Sequence, residues 1–251
     1  MSDEYRVDLH VKVLDERVVS RAKRVGLDAL VYAPHFTPLP EIEATAERYA
    51  DDELAIIPGR EIFTGSWGDR QHVLALDLDE PIPDYISLAG AMDECTRQDA
   101  IVLVPHPTFA TVSLGEAEIR AYRDVIDAIE VFNPKHLPIH NRRAQRLATE
   151  IPMPSFTSSY AHLRRTIGAA ATVFDGVAST ADLFEALRSG APRTVDHNSG
   201  RAMVGTTAIE LAHLGWENTW EKFERVVLSG TEPTHPTNSR YERRFDDVSV
   251  Y

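Results

Sequence analysis

One cysteine, Cys95, stands in a chain of 251 residues, so no intrachain disulfide can form and no thiolate cluster can hold zinc. Any metal must be held by histidine and carboxylate. Long hydrophobic runs are also missing: nothing approaches the roughly 20 apolar residues a membrane helix needs. The N-terminus MSDEYRVDLH is too polar and charged for a signal peptide, and the expectation is a cytoplasmic protein with no membrane partner. Lysine is scarce, occurring only at Lys12, Lys23, Lys135 and Lys222, while acids outnumber bases to a formal net charge of -13. That balance leaves no basic stripe for a phosphate backbone and argues against nucleic acid as the partner. Arginine in place of lysine with excess carboxylate is the composition of proteins from salt-loving archaea, though an ordinary acidic cytosolic protein shares it.

What is present alternates. Tyr5 to Val11 reads as a strand, Val18 to Val25 as a helix, and Ala29 to Tyr32 as a short strand, a βαβ opening. Further helices are expected at Glu41 to Tyr49, Leu88 to Gln98, Pro138 to Glu150 and Thr180 to Ser189, the third opened by its proline. Strands are expected at Leu54 to Ile57, stopped by Pro58 and Gly59, and at Val73 to Leu78, Ile101 to Val104, Ile126 to Phe132, Met153 to Thr157 and Gly168 to Phe174. Strand alternating with helix at this spacing means a mostly parallel sheet, and the length favours a closed TIM-like α/β barrel over an open sheet. The alternation is lost after residue 197. Residues 1–197 therefore read as the barrel and 198–251 as a small helical appendage whose end, from Thr231, is a loose tail.

Six candidate ligands, His10, His35, Glu61, His72, His106 and His162, each sit where a short apolar run ends or begins. Side chains gathered from the ends of many strands are how a barrel builds one site at its C-terminal rim. The connection from Glu61 to His72 holds Gly65 and Gly68 and no helical pattern, too short for a parallel crossover. A hairpin follows, and it brings His72 back beside Glu61. Lys12 lies two residues after His10 on a strand and so faces the same cavity. The other histidines, His136, His140, His197, His213 and His235, lack that context and read as surface residues.

In order along the chain, DLHVK (Asp8 to Lys12), APHF (Ala33 to Phe36), IIPGREI (Ile56 to Ile62), HVLAL (His72 to Leu76), VPHP (Val104 to Pro107), AIEVFN (Ala128 to Asn133) and SYAH (Ser159 to His162) resemble the successive motifs of the PHP (polymerase and histidinol phosphatase) family. The resemblance covers about residues 5 to 190. It implies a distorted (β/α)7 barrel with divalent metals at its C-terminal rim, hydrolysing phosphate esters, and a PHP-associated region in the C-terminal segment. It also marks departures. Lys12 stands where the family has a second histidine, a ligand-bearing loop is missing after Val13 and Tyr160 stands where an aspartate is usual, so three implied ligands are gone; Pro34 also stands where an aspartate is usual. The implied site of Glu61 with His72 and His106 is whole. A second keeps only His10 and Glu61, with Lys12 as a fixed charge in the metal's place, and a third keeps only His35 and His162.

The expectation is one divalent transition metal, with room for a second, and Zn, Mn and Fe suit two histidines and a carboxylate equally. The resemblance then implies a phosphoesterase acting on a small phosphorylated metabolite or nucleotide, using a metal-activated water. His10, His35 or His162 would act as general acid, because unliganded histidine titrates near neutrality. Lys12, Arg142 and Arg164 would bind phosphate, Asn133 would orient substrate, and Glu130 would steady a strand end. The alternative is a pseudoenzyme that kept the barrel as a ligand-binding or scaffolding protein.

Overall fold

A computed structural model describes residues 4–66, 69–109, 112–197 and 233–250. Among them nine strands form one sheet in the order β7-β6-β5-β4-β3-β2-β1-β8-β9. The strands are β1 (Glu4–Val11), β2 (Ala29–Tyr32), β3 (Ala55–Thr64), β4 (Gln71–Leu76), β5 (Ile101–Val104), β6 (Ala128–Phe132), β7 (Ser155–Thr157), β8 (Ala170–Asp175) and β9 (Arg193–His197). Six helices accompany them: α1 (Glu16–Arg24), α2 (Leu39–Tyr49), α3 (Leu88–Arg97), α4 (Glu116–Ala121), α5 (Pro138–Glu150) and α6 (Thr180–Arg188). The sheet curls into a nearly closed barrel. Its seam lies between β7 and β8, where Thr157 N–H donates to the Thr172 hydroxyl and that hydroxyl donates to the Thr157 carbonyl.

Local chemistry fixes the elements. Asp15 accepts from the Arg17 and Val18 amides to open α1, Ser87 caps α3 and Ser179 caps α6. Strands β1, β2 and β3 pair in parallel, as do β5, β6 and β7, while β4 returns antiparallel between β3 and β5. Strand β8 also runs antiparallel to β1, because the link from β7 holds only a single 3₁₀ turn (Arg164–Thr166) and no crossover helix.

Strand β3 runs through Pro58 and Gly59 instead of stopping there. Pro58 takes the last pairing with β2, opposite Tyr32, where its missing N–H costs least. Gly59 lets the strands close up, since a Cβ there would lie 2.7 Å from Val31 Cγ1. The extension is what carries Glu61 into the barrel. A register irregularity between Asp8 and Val11 has a similar effect on β1. Val7 and Leu9 pack into the inner cluster and Val11 into an outer one, so the alternation slips and the next residues are re-aimed. The inner cluster fills the barrel below the site with Leu74, Leu76, Leu103 and Phe156. Helix α6 closes that lower end through Leu183 and Leu187, with Arg188 reaching Asp77 and the Asp99 carbonyl.

The expected appendage lies in part, residues 198–232, outside the described residues. Residues 233–250 are no loose tail, because they are stitched to the outer wall of β3, β4 and α3. Ser87 N–H donates to the Val248 carbonyl and Val250 N–H to the Tyr85 carbonyl. Tyr241 and Phe245 are buried in the outer cluster, and the Thr234 hydroxyl donates to Asp84. No helix among the described residues is long and apolar enough to cross a membrane.

Candidate metal centre

Glu61 sits at the middle of the upper barrel, fully buried, with its two oxygens facing different chemistry. Oε1 lies 3.2 Å from His72 Nδ1, 3.1 Å from His106 Nε2 and 3.7 Å from His10 Nε2. Oε2 lies 2.5 Å from Lys12 Nζ and 2.8 Å from His35 Nε2. Burial alone would push the Glu61 carboxyl up, but Lys12, His72 and His10 around it hold it well below the usual carboxylate range. It is an anion. The β3–β4 hairpin explains the meeting with His72, which pairs opposite Phe63 and so shares a face with Glu61. The ring of Phe63 stacks flat on that of His72 at 4.0 Å. His10 and Lys12, re-aimed by the β1 irregularity, both reach the same carboxylate.

One ligand atom each from Glu61, His72 and His106 lie within 4.8 Å of one another, all three side chains buried. Hydrogen-bond logic shows what that set wants. The Ser113 hydroxyl donates its one proton to a carbonyl, that of His106 at 2.5 Å or Phe109 at 2.9 Å. Its contact with His106 Nδ1 at 3.1 Å must then be received from an Nδ1–H. A ring carrying that single proton has a bare lone pair on Nε2 aimed at a carboxylate oxygen, an arrangement that a cation between them relieves. His72 Nε2 and both nitrogens of the fully buried His10 also lack hydrogen-bond partners. Orphaned buried imidazoles around an anion fit a divalent ion, with His10 as a fourth donor.

The backbone is arranged for the same end. His106 holds φ +36°, in the left-handed region that non-glycine residues avoid, and Tyr160 holds φ +47°. Glu130 anchors the first of these: one of its oxygens accepts from the His106 amide at 2.7 Å and from Asn133 Nδ2, the other from the Ser158 hydroxyl at 2.6 Å. Removing Ser113's hydroxyl by Ser113→Ala should lower metal affinity by about 10- to 100-fold without unfolding the protein. Competition with a chromophoric chelator measures this, and unchanged affinity would refute the orienting role.

Several sequence expectations need correction. Asn133 does not face substrate, since it is 1% exposed and its side chain is engaged with Glu130 and the Lys135 amide. Arg142 is exposed on α5 and does not line the cavity described below. Neither His10, His35 nor His162 titrates near neutrality. Burial, with Lys12 adding to it, holds His35 at about 3 and His10 well below its ordinary value, and burial with Lys135 does the same to His162. At neutral pH all three are uncharged and none is an imidazolium acid. His136 is not a surface residue: it stacks on Phe109 at 4.2 Å and its ring lies 6.4 Å from that of His106.

Arg164 is at the mouth, paired with Asp15 at 2.6 Å. It lines an open cavity of ≈ 650 Å³ together with Lys12, Tyr32, His162 and Arg165. Tyr160 fills the space between the histidines, its ring centre 4.8 Å from His10, 5.2 Å from His106 and 4.7 Å from His162. Sequence reasoning missed Lys135, which is buried with Nζ 2.6 Å from His162 Nδ1 and 4.6 Å from the Tyr160 ring centre. As one of only four lysines in an arginine-rich chain, it carried a signal that could have been read.

A family model described as PHP-associated matches residues 138–192, which run from α5 to the end of α6 in the barrel wall, not the segment after residue 197. An uncharacterized protein of Methanocaldococcus jannaschii is 24% identical over 142 residues, 55% of this chain and 78% of that protein. Among solved structures, PsfC from Pseudomonas syringae PB-5123 is similar with TM-score 0.63 and 19% identity over 85% of this chain and 100% of that one. Endonuclease Q, in complex with a 27-mer duplex carrying an abasic lesion, is similar with TM-score 0.53 and 15% identity over 76% of this chain and 58% of that one. At these identities the likeness is one of fold, and the fold is a distorted TIM-like α/β barrel with a candidate metal centre at its rim.

Proposed function

We propose that this chain is a metal-dependent hydrolase of phosphate esters, with one divalent ion held by Glu61, His72 and His106, aided by His10. The observation that carries the reading is the pairing of that buried donor set with a cationic cavity, lined by Lys12, Arg164 and Arg165, beside it. When bound, the ion would supply a water of lowered pKa and polarise a phosphoryl oxygen. Everything else falls to the chain. Lys12, fixed by Glu61 and by the Ala33 carbonyl at 2.5 Å, presents an immobile positive charge to a phosphoryl oxygen. His35, with 21% of its side chain exposed, is the most open imidazole against Glu61. Neutral at working pH and held at about 3, it is too weak a base to keep a proton and serves as a hydrogen-bond partner that orients the attacking water. Tyr160 and the Phe63–His72 stack narrow the space around these groups and keep bulk water out.

The reading extends to PHP membership, which the ordered motifs and the 138–192 match support. A small phosphorylated metabolite or nucleotide suits the cavity. A polynucleotide is weakened by the net charge of -13, yet Endonuclease Q, part of which has a similar fold, is complexed with a duplex, so the local charge of the mouth decides. The test is turnover by protein reconstituted with Zn²⁺, Mn²⁺ or Fe²⁺ on a panel of phosphate mono- and diesters. Hydrolysis that a chelator abolishes and metal restores is expected. Lys12→Met should cut kcat/KM by about 10²- to 10³-fold with metal content unchanged. Metal-loaded protein that binds phosphate esters but turns none over would make the chain a binding protein.

A further inference from the structure

We infer that the C-terminal segment, residues 233–250, positions the side chains of Glu61 and His72, acting through the positioning residues Asp84, Arg60 and Phe63. Its consequence for the metal rests on the metal-centre reading; the coupling itself does not.

The extension that carries Glu61 into the barrel creates the need. Strand β2 takes its last pairing at Tyr32, opposite Pro58, so beyond that point one edge of β3 has no strand beside it among the described residues. Backbone groups on a buried edge still require partners. The Glu61 carbonyl accepts from the Arg60 guanidinium at 2.5 Å, and the Phe63 amide donates to Asp84 Oδ1 at 2.8 Å. The Phe63 carbonyl accepts from the Tyr85 amide at 2.6 Å, and the Gly65 amide donates to the Ile86 carbonyl at 2.8 Å. Residues 84–86, with Arg60, stand in for the missing strand.

That stand-in is held in turn by the C-terminal segment. Asp84 Oδ2, which faces Arg60 at 2.6 Å, accepts from the Thr234 hydroxyl at 2.6 Å, while the Asp84 amide donates to the Thr234 carbonyl at 2.8 Å. Tyr85 holds φ +60°, in the left-handed region, a conformation that persists where the surroundings over-determine it. Its amide is tied to Phe63 and its carbonyl accepts from the Val250 amide at 3.0 Å.

Arg60 separates this arrangement from ordinary packing. Strand alternation turns its side chain to the face opposite Glu61, the face on which Ile62 joins the outer cluster, and it is buried there beside Asp84. Its planar fork spans the Asp84 carboxylate and the Glu61 carbonyl, which a point-like ammonium cannot do. On the inner face, Phe63 passes the constraint to His72 through the ring stack at 4.0 Å. Two metal-binding side chains are thus set from one carboxylate by separate routes.

The experiment compares Thr234→Val, which loses the hydroxyl at nearly constant volume, and Arg60→Lys, which keeps the charge but not the fork, with Thr234→Ser and Phe245→Leu. Zn²⁺ affinity is read by competition with a chromophoric chelator, the His72 ring by ¹H–¹⁵N spectra of metal-free protein, and Tm by melting. Affinity should fall about threefold in Thr234→Val and about tenfold in Arg60→Lys, with the His72 resonances displaced in both. Thr234→Ser should match the wild type. Phe245→Leu, which loosens the same segment at its apolar anchor, should lower Tm and leave affinity and the His72 resonances unchanged. If Arg60→Lys fails to fold, Thr234→Val carries the measurements alone. Wild-type affinity in the folded Thr234→Val protein, undisplaced His72 resonances, or an equal affinity loss in Phe245→Leu would overturn the inference. A wild type that takes up no Zn²⁺ would refute the metal centre, and the His72 resonances of the metal-free variants would then decide the coupling by themselves.

Discussion

Glu61→Gln should empty the metal centre and reduce turnover by about 10³-fold or more, because it removes the charge on which every neighbouring group converges. Oε1 is the shared focus of His72, His106 and His10, and Oε2 is the counter-ion of Lys12. An amide offers one neutral oxygen and cannot serve both sides. It also leaves the Lys12 ammonium, 4% exposed, without its carboxylate, so the variant should lose several kcal/mol of stability as well. Metal analysis, turnover and thermal melting on one preparation measure all three effects. A folded Glu61→Gln protein with wild-type metal content would refute the anchoring role.

Asp84→Ala should be the most destabilising single change outside the site, by about 3–5 kcal/mol, or on the order of 10 °C in Tm. Asp84 is fully buried and pairs with Arg60, 1% exposed, at 2.6 Å. Its other oxygen accepts the Phe63 amide at 2.8 Å, and the Thr234 hydroxyl donates to the oxygen that holds Arg60. Arg60 in turn donates to the Glu61 carbonyl. Removing the carboxylate strands a buried guanidinium and loosens both the C-terminal segment and the end of β3. Limited proteolysis should then release residues 233–250 earlier than in the wild type. A loss below about 1 kcal/mol would show that the guanidinium finds another partner and that the segment is held by Tyr241 and Phe245 alone.

The barrel was legible where hydrophobic runs were clean. Ile101–Val104 and Ala29–Tyr32 are short, apolar and bounded by turn residues, and α5 announces itself with Pro138. The Glu61–His72 hairpin followed from a connection too short for a crossover and without helical pattern. Strand β3 was misread at Pro58 because its breaker character is offset by an edge pairing that only the register reveals. Strand β9, Arg193–His197, escaped notice because it is polar and half exposed, and α4 because it spans only 6 residues. The tail hid its anchors among proline, threonine and charge.

The candidate site divides the same way. The candidate positions that converge on Glu61 were readable because they flank apolar runs, and Lys12 because strand geometry ties it to His10. Orientation was not readable. Whether an imidazole offers a lone pair or a proton depends on its second nitrogen's partner, and that partner is set by how a loop folds back, as with Ser113, or comes from another loop, as with Lys135. Protonation was misjudged for the related reason that burial is a property of the assembled barrel, and it is burial first of all that holds His35 and His10 down.

The most direct measurement is the metal-to-chain ratio of folded, reconstituted protein by inductively coupled plasma mass spectrometry. One divalent transition metal per chain is expected, since one oxygen of Glu61 faces His72, His106 and His10 while Lys12 holds the other, which only His35 shares. Two or more ions per chain, or a well-folded protein that takes up none, would contradict it.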